Sequence, residues 1–353
     1  MRGIDCADPV AESISSLDAL AADARAVLAA GACGVFGSLP WWETVLHHAM
    51  PSDASADFVT IRESGTVLAV VPLLRGGGQL RGLTTPYSCV FTPALAAGLG
   101  RASRIGAMTA LARFCRSAGV VRLDALPAEW EGLVDLEAGA RQAGLVPLRF
   151  DHFGNWHEDV TGLDWSAYLV RRPGALRETI RRRLRRAEKL PKARFDLLTK
   201  PNQIENAVAV FEAVYEKSWK QPEPFPTFNA ALMRAVAEAG HLRLGVWSIG
   251  TEPVAVQFWV VTGGEAIVLK LAHDEAFKAH SPGTVLTALT LRHLLEVEKV
   301  TRIDFGRGDD DYKKGWAMDR RQRIGMLLVH PWSVGGSLEL ARHVAGKVWR
   351  RLG

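Results

Sequence analysis

Residues 303–317, IDFGRGDDDYKKGWA, gather an unusual inventory of reactive side chains. Asp304 ends an apolar strand-like run, where a polar side chain projects toward a site beyond a sheet. A carboxylate there can act as a general base, or it can orient a cation such as Lys313. Gly306 and Gly308 let the chain turn. Lys313, beside Tyr312 and Trp316, suits contact with an anion or an oxyanion in a partly dry pocket. Asp309, Asp310 and Asp311 are adjacent, so their side chains point different ways. No further carboxylate or histidine cluster lies beside them, so a metal is not expected and a solvated rim is.

A second run, KAHSPGTVLTALTLRHLLEVE, follows the apolar strand 266–272. Ser281 stands at an N-cap position, Pro282 at the first helical position, and Gly283 permits close approach. A helix opened this way presents free N–H groups to an anion. A well-capped helix without a ligand has the same local features. His273 ends the preceding strand and faces the same loop, where it can serve as a general base. The chain has no phosphate-binding G-x-x-x-x-G-K loop, no G-x-G-x-x-G fingerprint and no G-x-S-x-G elbow. No Cys–His pair supports covalent catalysis.

A third run spans residues 171–194, with eleven basic side chains against two acidic ones. The whole chain carries only +5, so the excess belongs to this segment. Leu176, Ile180, Leu184 and Ala187 form one apolar stripe at helical spacing. The arginines take the other faces. They suit phosphate groups, on a coenzyme or tRNA, or an anionic membrane surface. A solvated helix is the plain alternative. No aromatic residues are interleaved, which disfavours stacking on single-stranded nucleic acid.

The elements that must position these residues follow from periodicity. At 353 residues, with 48% apolar and 23% charged side chains, the chain exceeds one usual core. Helices are expected near 13–30, 103–118, 132–143, 204–219, 229–239, 282–298 and 337–352. Strands are expected near 58–61, 67–74, 120–126, 145–150, 241–249, 252–261, 265–273, 300–306 and 323–330. VVRLD at 120–124 is echoed by VTRID at 300–304, each after a helix that follows antiparallel strands. This order implies a duplicated α/β unit, joined around residues 152–164. The domains expected are 1–155, 156–335 and a basic helix, 336–353. Cys6, Cys33, Cys89 and Cys115 show no zinc or disulfide spacing. No apolar run spans a membrane and none forms a signal peptide, so a cytoplasmic location is expected.

The string strand–HSPGT–helix–RIDFGRGDDDYKKGW resembles the C-terminal domain of GNAT-superfamily acyltransferases of the CelD-like group, associated with polysaccharide biosynthesis. YKKGW is similar to the aromatic-Lys-Lys-Gly-aromatic motif of the Fem-type aminoacyl transferases, which are tandem GNAT proteins. FGSLPWW at 36–42 adds to the likeness. The resemblance implies an α/β (α+β) fold of two GNAT-like domains, each a mixed, mostly antiparallel sheet flanked by helices. It implies acyl transfer from acetyl-CoA or another acyl-CoA to an amine of a glycan, nucleotide-sugar or lipid intermediate, with no metal. Lys278, Ser281, Gly283, Thr284 and Val285 would hold the donor, the pyrophosphate resting on the N–H groups of 283–285. Asp304 or His273 would take the proton, Lys313 would steady the oxyanion, and Tyr312 would donate to the leaving thiolate. Lys278-Ala279-His280-Ser281-Pro282-Gly283 departs from the usual Gln/Arg-x-x-Gly-x-Gly/Ala signature and leaves the acyl group open. The resemblance leaves three alternatives open. One is an aminoacyl-tRNA donor. Another is a non-catalytic subunit of a polysaccharide-synthesis complex. The third is peripheral contact of the 171–194 helix with the inner membrane surface.

Overall fold

Two stretches of alternating strands and helices build two compact units in this computed structural model, which describes residues 8–31 and 33–352. The first unit holds the described residues up to Phe153 together with those from Gln322 onward, and the second holds Gly154–Arg321. Cys6 lies outside the described residues. Cys33, Cys89 and Cys115 are buried free thiols.

The first unit begins with β1 (Val10–Ile14), α1 (Ala22–Ala29) and α2 (Leu39–His48). It continues through β2 (Ser55–Glu63), β3 (Thr66–Gly76), β4 (Gln79–Gly82) and the short β5 (Ala94–Leu95). Then come α3 (Arg101–Cys115), β6 (Val120–Pro127), α4 (Gly132–Gln142) and β7 (Val146–Asp159). β1 to β4 form an antiparallel meander, and β4 pairs parallel to β6 at Leu80–Val121 and Arg81–Arg122. The helix expected over 13–30 is shorter than its periodicity suggests. Ser13 pairs with Val59 in the sheet, so ladder formation overrides local propensity at its start.

The second unit contains α5 (Trp165–Val170), α6 (Gly174–Ala187), β8 (Ala193–Leu198), α7 (Ile204–Glu216) and α8 (Phe228–Glu238). Next are β9 (Leu242–Ile249), β10 (Glu252–Thr262), β11 (Glu265–His273), α9 (Pro282–Glu296), β12 (Arg302–Asp304) and α10 (Lys313–Trp316). The chain ends with β13 (Asp319–Val329) and α11 (Val334–Leu352). β8 to β11 again form an antiparallel meander, and β11 pairs parallel to β12. The VVRLD and VTRID echo therefore marks equivalent strands: each pairs parallel to the last strand of its meander.

The last strand of each repeat runs on into the unit built mainly by the other repeat and pairs there. Residues 157–159 of β7 pair with β12, and residues 323–329 of β13 pair with β6. The segment expected as a connection at 152–164 is thus largely strand. α6 confirms the apolar stripe of the basic run: Ile180 and Ala187 are buried, with Leu176 and Leu184 half-buried on the same core.

One member of that run is not solvated. Arg172 is 3% exposed and makes a two-pronged contact with the fully buried carboxylate of Glu158, at 2.7 and 2.5 Å. Its guanidinium lies 4.2 Å from the Tyr168 ring centroid. Without Arg172 the buried Glu158 carboxylate keeps only the more exposed Arg171 guanidinium, 3.3 Å away. Arg172→Ala should therefore lose about 3–5 kcal/mol of unfolding free energy in urea titrations. The double variant Glu158→Leu/Arg172→Met should recover much of that loss.

Candidate active site

β11 is paired with β10 from Glu265 to His273 except at Leu269, where the register shifts, but with β12 only at Glu265, Ala266 and Ile267. β12 ends at Asp304, the partner of Ile267. Residues 268–273 then keep one ladder edge without a strand partner among the described residues. Such an edge offers alternating N–H and C=O groups to an extended ligand. In the first unit β4 ends at Gly82, one residue past its parallel pairing, and offers no comparable edge.

The open edge leads to the start of α9. Ser281 is left-handed, with φ 54°, and makes no side-chain cap. Val285 donates its N–H to the Ser281 carbonyl at 3.1 Å, so it is used within the helix. Gly283 and Thr284 are the first-turn residues whose N–H groups lack an intrahelical acceptor. A Cβ at Gly283 would lie 3.7 Å from His273 Cδ2, which puts His273 against this terminus. Lys278 is exposed and 3.4 Å from Glu275.

His273 is 4.4 Å from the Trp219 ring and 3.7 Å from Glu275. It stands six residues beyond Ile267, about 20 Å along an extended strand. Asp304 is at the other end, in register with Ile267. The structure therefore separates these two candidate bases. Asp304 is 2% exposed and accepts from Asn155 Nδ2 at 2.8 Å, the Gly306 N–H at 2.6 Å and Arg321 Nη2 at 2.5 Å. These three donors fix the turn that leaves β12. Asp304 does not pair with Lys313.

Lys313 is 4% exposed. Its Nζ donates to the Arg307 carbonyl at 2.6 Å and the Gly308 carbonyl at 3.4 Å, and meets Asp310 at 2.9 Å. An ammonium has three protons, and these partners account for them. Lys313 holds the Gly-Arg-Gly loop rather than facing an open site. Asp309 accepts from Trp156 and Arg320, and the Arg320 guanidinium holds its carboxyl below the usual range. Asp311 and Lys314 are exposed. Among the described residues no group of three or more His, Cys, Asp or Glu side chains is arranged to hold a metal. Tyr312 is 46% exposed, yet desolvation, and then the Asp310 carboxylate, push its phenol above its usual range. The hydroxyl stays protonated across neutral pH.

The segment after α7 supplies residues that sequence reasoning missed. Glu223 accepts from both Tyr215 and Lys270 of β11. A cavity of about 470 Å³ lies beside them, lined by Phe211, Glu216, Lys220, Pro222, Glu223 and Asn229 among others. Desolvation, and then the Lys270 ammonium, lower the Lys220 pKa, with Lys313 adding and Asp310 and Glu223 opposing. Trp219-Lys220-Gln221-Pro222 has no periodicity, so only its aromatic–lysine pair was a signal.

Residues 174–314 match a family model described as an Acetyltransferase (GNAT) domain. The matched residues all lie in the second unit. No curated protein matches the chain in sequence. The whole fold is similar to that of FemX, with 11% identity and TM-score 0.57, covering 90% of this chain and 98% of that one. It is also similar to a conserved protein of unknown function from Bacteroides thetaiotaomicron (12% identity, TM-score 0.59, coverage 90% and 99%). A third likeness is to the C-terminal domain of a protein described as a lysylphosphatidylglycerol synthetase from Agrobacterium fabrum (13% identity, TM-score 0.54, coverage 86% and 94%). These likenesses concern the fold.

His157, in register with Asp304, has a buried Nδ1 without a hydrogen-bond partner. Desolvation, and then Arg321, hold its pKa below 6.5. The unfolded chain therefore binds a proton more readily than the folded one. Stability should fall as pH drops through 6.5 and level off once the folded-state pKa is passed. Denaturant titrations at several pH values should show this slope, and His157→Gln should flatten it.

Proposed function

We propose that this GNAT domain transfers an acyl group from an acyl-CoA thioester to an amine held in the cavity beside β11. The observation that carries the reading is the unpaired edge at 268–273 running into the uncapped start of α9. The two features suit the two parts of such a donor, an extended amide-bearing arm and an anionic diphosphate. Gly283 and Thr284 would hold the diphosphate, with Ser281, Lys278 and His273 around it. The thioester supplies an activated carbonyl. The chain must orient it, exclude water and remove a proton from the amine.

The cavity is suited to a positively charged acceptor. Its walls include the carboxylates of Glu212, Glu216 and Glu223 against one ammonium, with Phe211, Pro222 and Pro226 as apolar surface. An amine on a glycan, nucleotide-sugar or lipid intermediate fits this chemistry. An acceptor ammonium must lose a proton before it attacks. Lys220, with its lowered pKa at the cavity wall, is the group we assign to receive it. Tyr312, kept protonated, would donate a hydrogen bond to the departing thiolate. Asp304 and Lys313 would act as positioning residues for the loop that carries Tyr312.

A second reading keeps the fold and takes aminoacyl-tRNA as donor. It is favoured by the exposed Arg181, Arg182, Arg185 and Arg186 on α6. Such a face would bind phosphates with a steep salt dependence.

Thermal-shift and calorimetric titrations with acetyl-CoA, long-chain acyl-CoA and tRNA separate the readings. An acyl-CoA should raise the melting temperature. Gly283→Asp puts a carboxylate where a helix start tolerates it but a diphosphate does not, so the Kd should rise at least about tenfold (~1.4 kcal/mol) with stability unchanged. Unchanged affinity in that variant, or binding of tRNA alone, would overturn the CoA assignment. Lys220→Met should lower turnover about 100-fold at pH 7 while leaving donor affinity intact. Thiol release in an amine-substrate screen measures it.

A further inference from the structure

The first turn of α9 is tied into the core of the second unit by three buried side chains. Gln257 and Trp259 stand two residues apart on β10 and share one face of the strand. Trp259 is 0% exposed, Gln257 2%, and Thr287 of α9 3%. The Trp259 indole N–H donates to the Gln257 amide oxygen at 3.0 Å. The Gln257 amide nitrogen donates to the Thr287 hydroxyl at 2.5 Å. The hydroxyl in turn donates to the Gly283 carbonyl at 2.8 Å.

This chain can run in one direction only. An indole nitrogen donates and cannot accept, so the Gln257 oxygen must face it and the amide nitrogen must face Thr287. The Thr287 hydroxyl accepts from that nitrogen and gives its single proton to Gly283. The last link bears on the site. The Gly283 carbonyl and the Thr284 N–H belong to one rigid peptide plane, so fixing the carbonyl fixes where the N–H points. A hydrogen bond to that oxygen also polarises the peptide and strengthens its N–H as a donor. Packing alone does not call for a glutamine here, because a buried amide adds little net stability and costs much when unpaired.

We propose that Gln257 and Thr287 are positioning residues for the donor, holding the Gly283–Thr284 peptide so that its N–H meets the diphosphate. The proposal rests on the acyl-CoA reading of this site. Thr287 acts on the peptide, and Gln257 acts through Thr287.

Calorimetric titration of the full chain with coenzyme A tests this, because its diphosphate is the same whatever the acyl group. Thr287→Val keeps the volume and removes the hydroxyl, and the Kd should rise about fivefold. Gln257→Leu frees the hydroxyl to turn from Gly283, and the Kd should rise about threefold. Thr287→Ser restores the hydroxyl and should bind within about twofold of the natural chain. Leu291→Val, one turn further along α9 at a fully buried position, is the control for lost stability. Its melting temperature should fall while its Kd stays within about twofold. An unchanged Kd in Thr287→Val or in Gln257→Leu would overturn the inference alone. So would an equal rise in Leu291→Val, since affinity would then only follow stability, or a rise that Thr287→Ser does not reverse. A natural chain that binds no coenzyme A would overturn the acyl-CoA reading and the inference with it.

Discussion

The contact between Glu158 and Arg172 organises the second unit. Two buried charges are costly to remove from water, and Arg172, with the more exposed Arg171 at 3.3 Å, compensates Glu158. Their remaining hydrogen-bonding capacity is spent on the chain around the site. Arg172 and Tyr168 both donate to the Trp316 carbonyl, while the Met318 N–H donates to Glu158. The pair therefore fixes where α10 ends and where β13 begins. Tyr312 and Lys313 take their positions from that anchor at one end and from Asp304 at the other. Gly315 belongs to the same arrangement, since a Cβ there would meet Leu176 of α6 at 2.8 Å.

This arrangement separates polar groups that hold the loop from polar groups that face open space. Asp304 and Lys313 have their bonding capacity filled by partners in the unit. Tyr312, Lys220 and the first-turn N–H groups of α9 do not have it filled in the same way. Residues rich in chemical potential on paper become scaffolding once partners saturate them. The open edge of β11, a feature of the backbone and not of any side chain, becomes the feature that a donor can use.

The sequence made the repeat legible because strand order survives divergence, and because Arg-x-Asp recurs at equivalent strands. It made the start of α9 legible through Ser281-Pro282-Gly283, a local signal. It did not reveal the partners of Asp304, because Asn155 lies 149 residues away in a segment without clear periodicity. Arg172 was hidden by its neighbours, since a run of arginines reads as one solvated surface. The acceptor cavity escaped for a similar reason. Glu223 and Lys270 acquire meaning only when the segment after α7 is laid along β11, and no local pattern encodes that placement.

The exchange of final strands has a consequence for biosynthesis. β6 cannot gain its second neighbour until residues 323–329 have been made, roughly 200 residues after β6 itself. At ribosomal speeds of about 5–20 residues per second, that edge waits on the order of 10–40 s. An unpaired strand edge is a template for other chains during that interval. The first unit is thus the first to be synthesised and yet the last to be closed, and its yield in the cell depends on how well the nascent edge is shielded until the distant strand arrives.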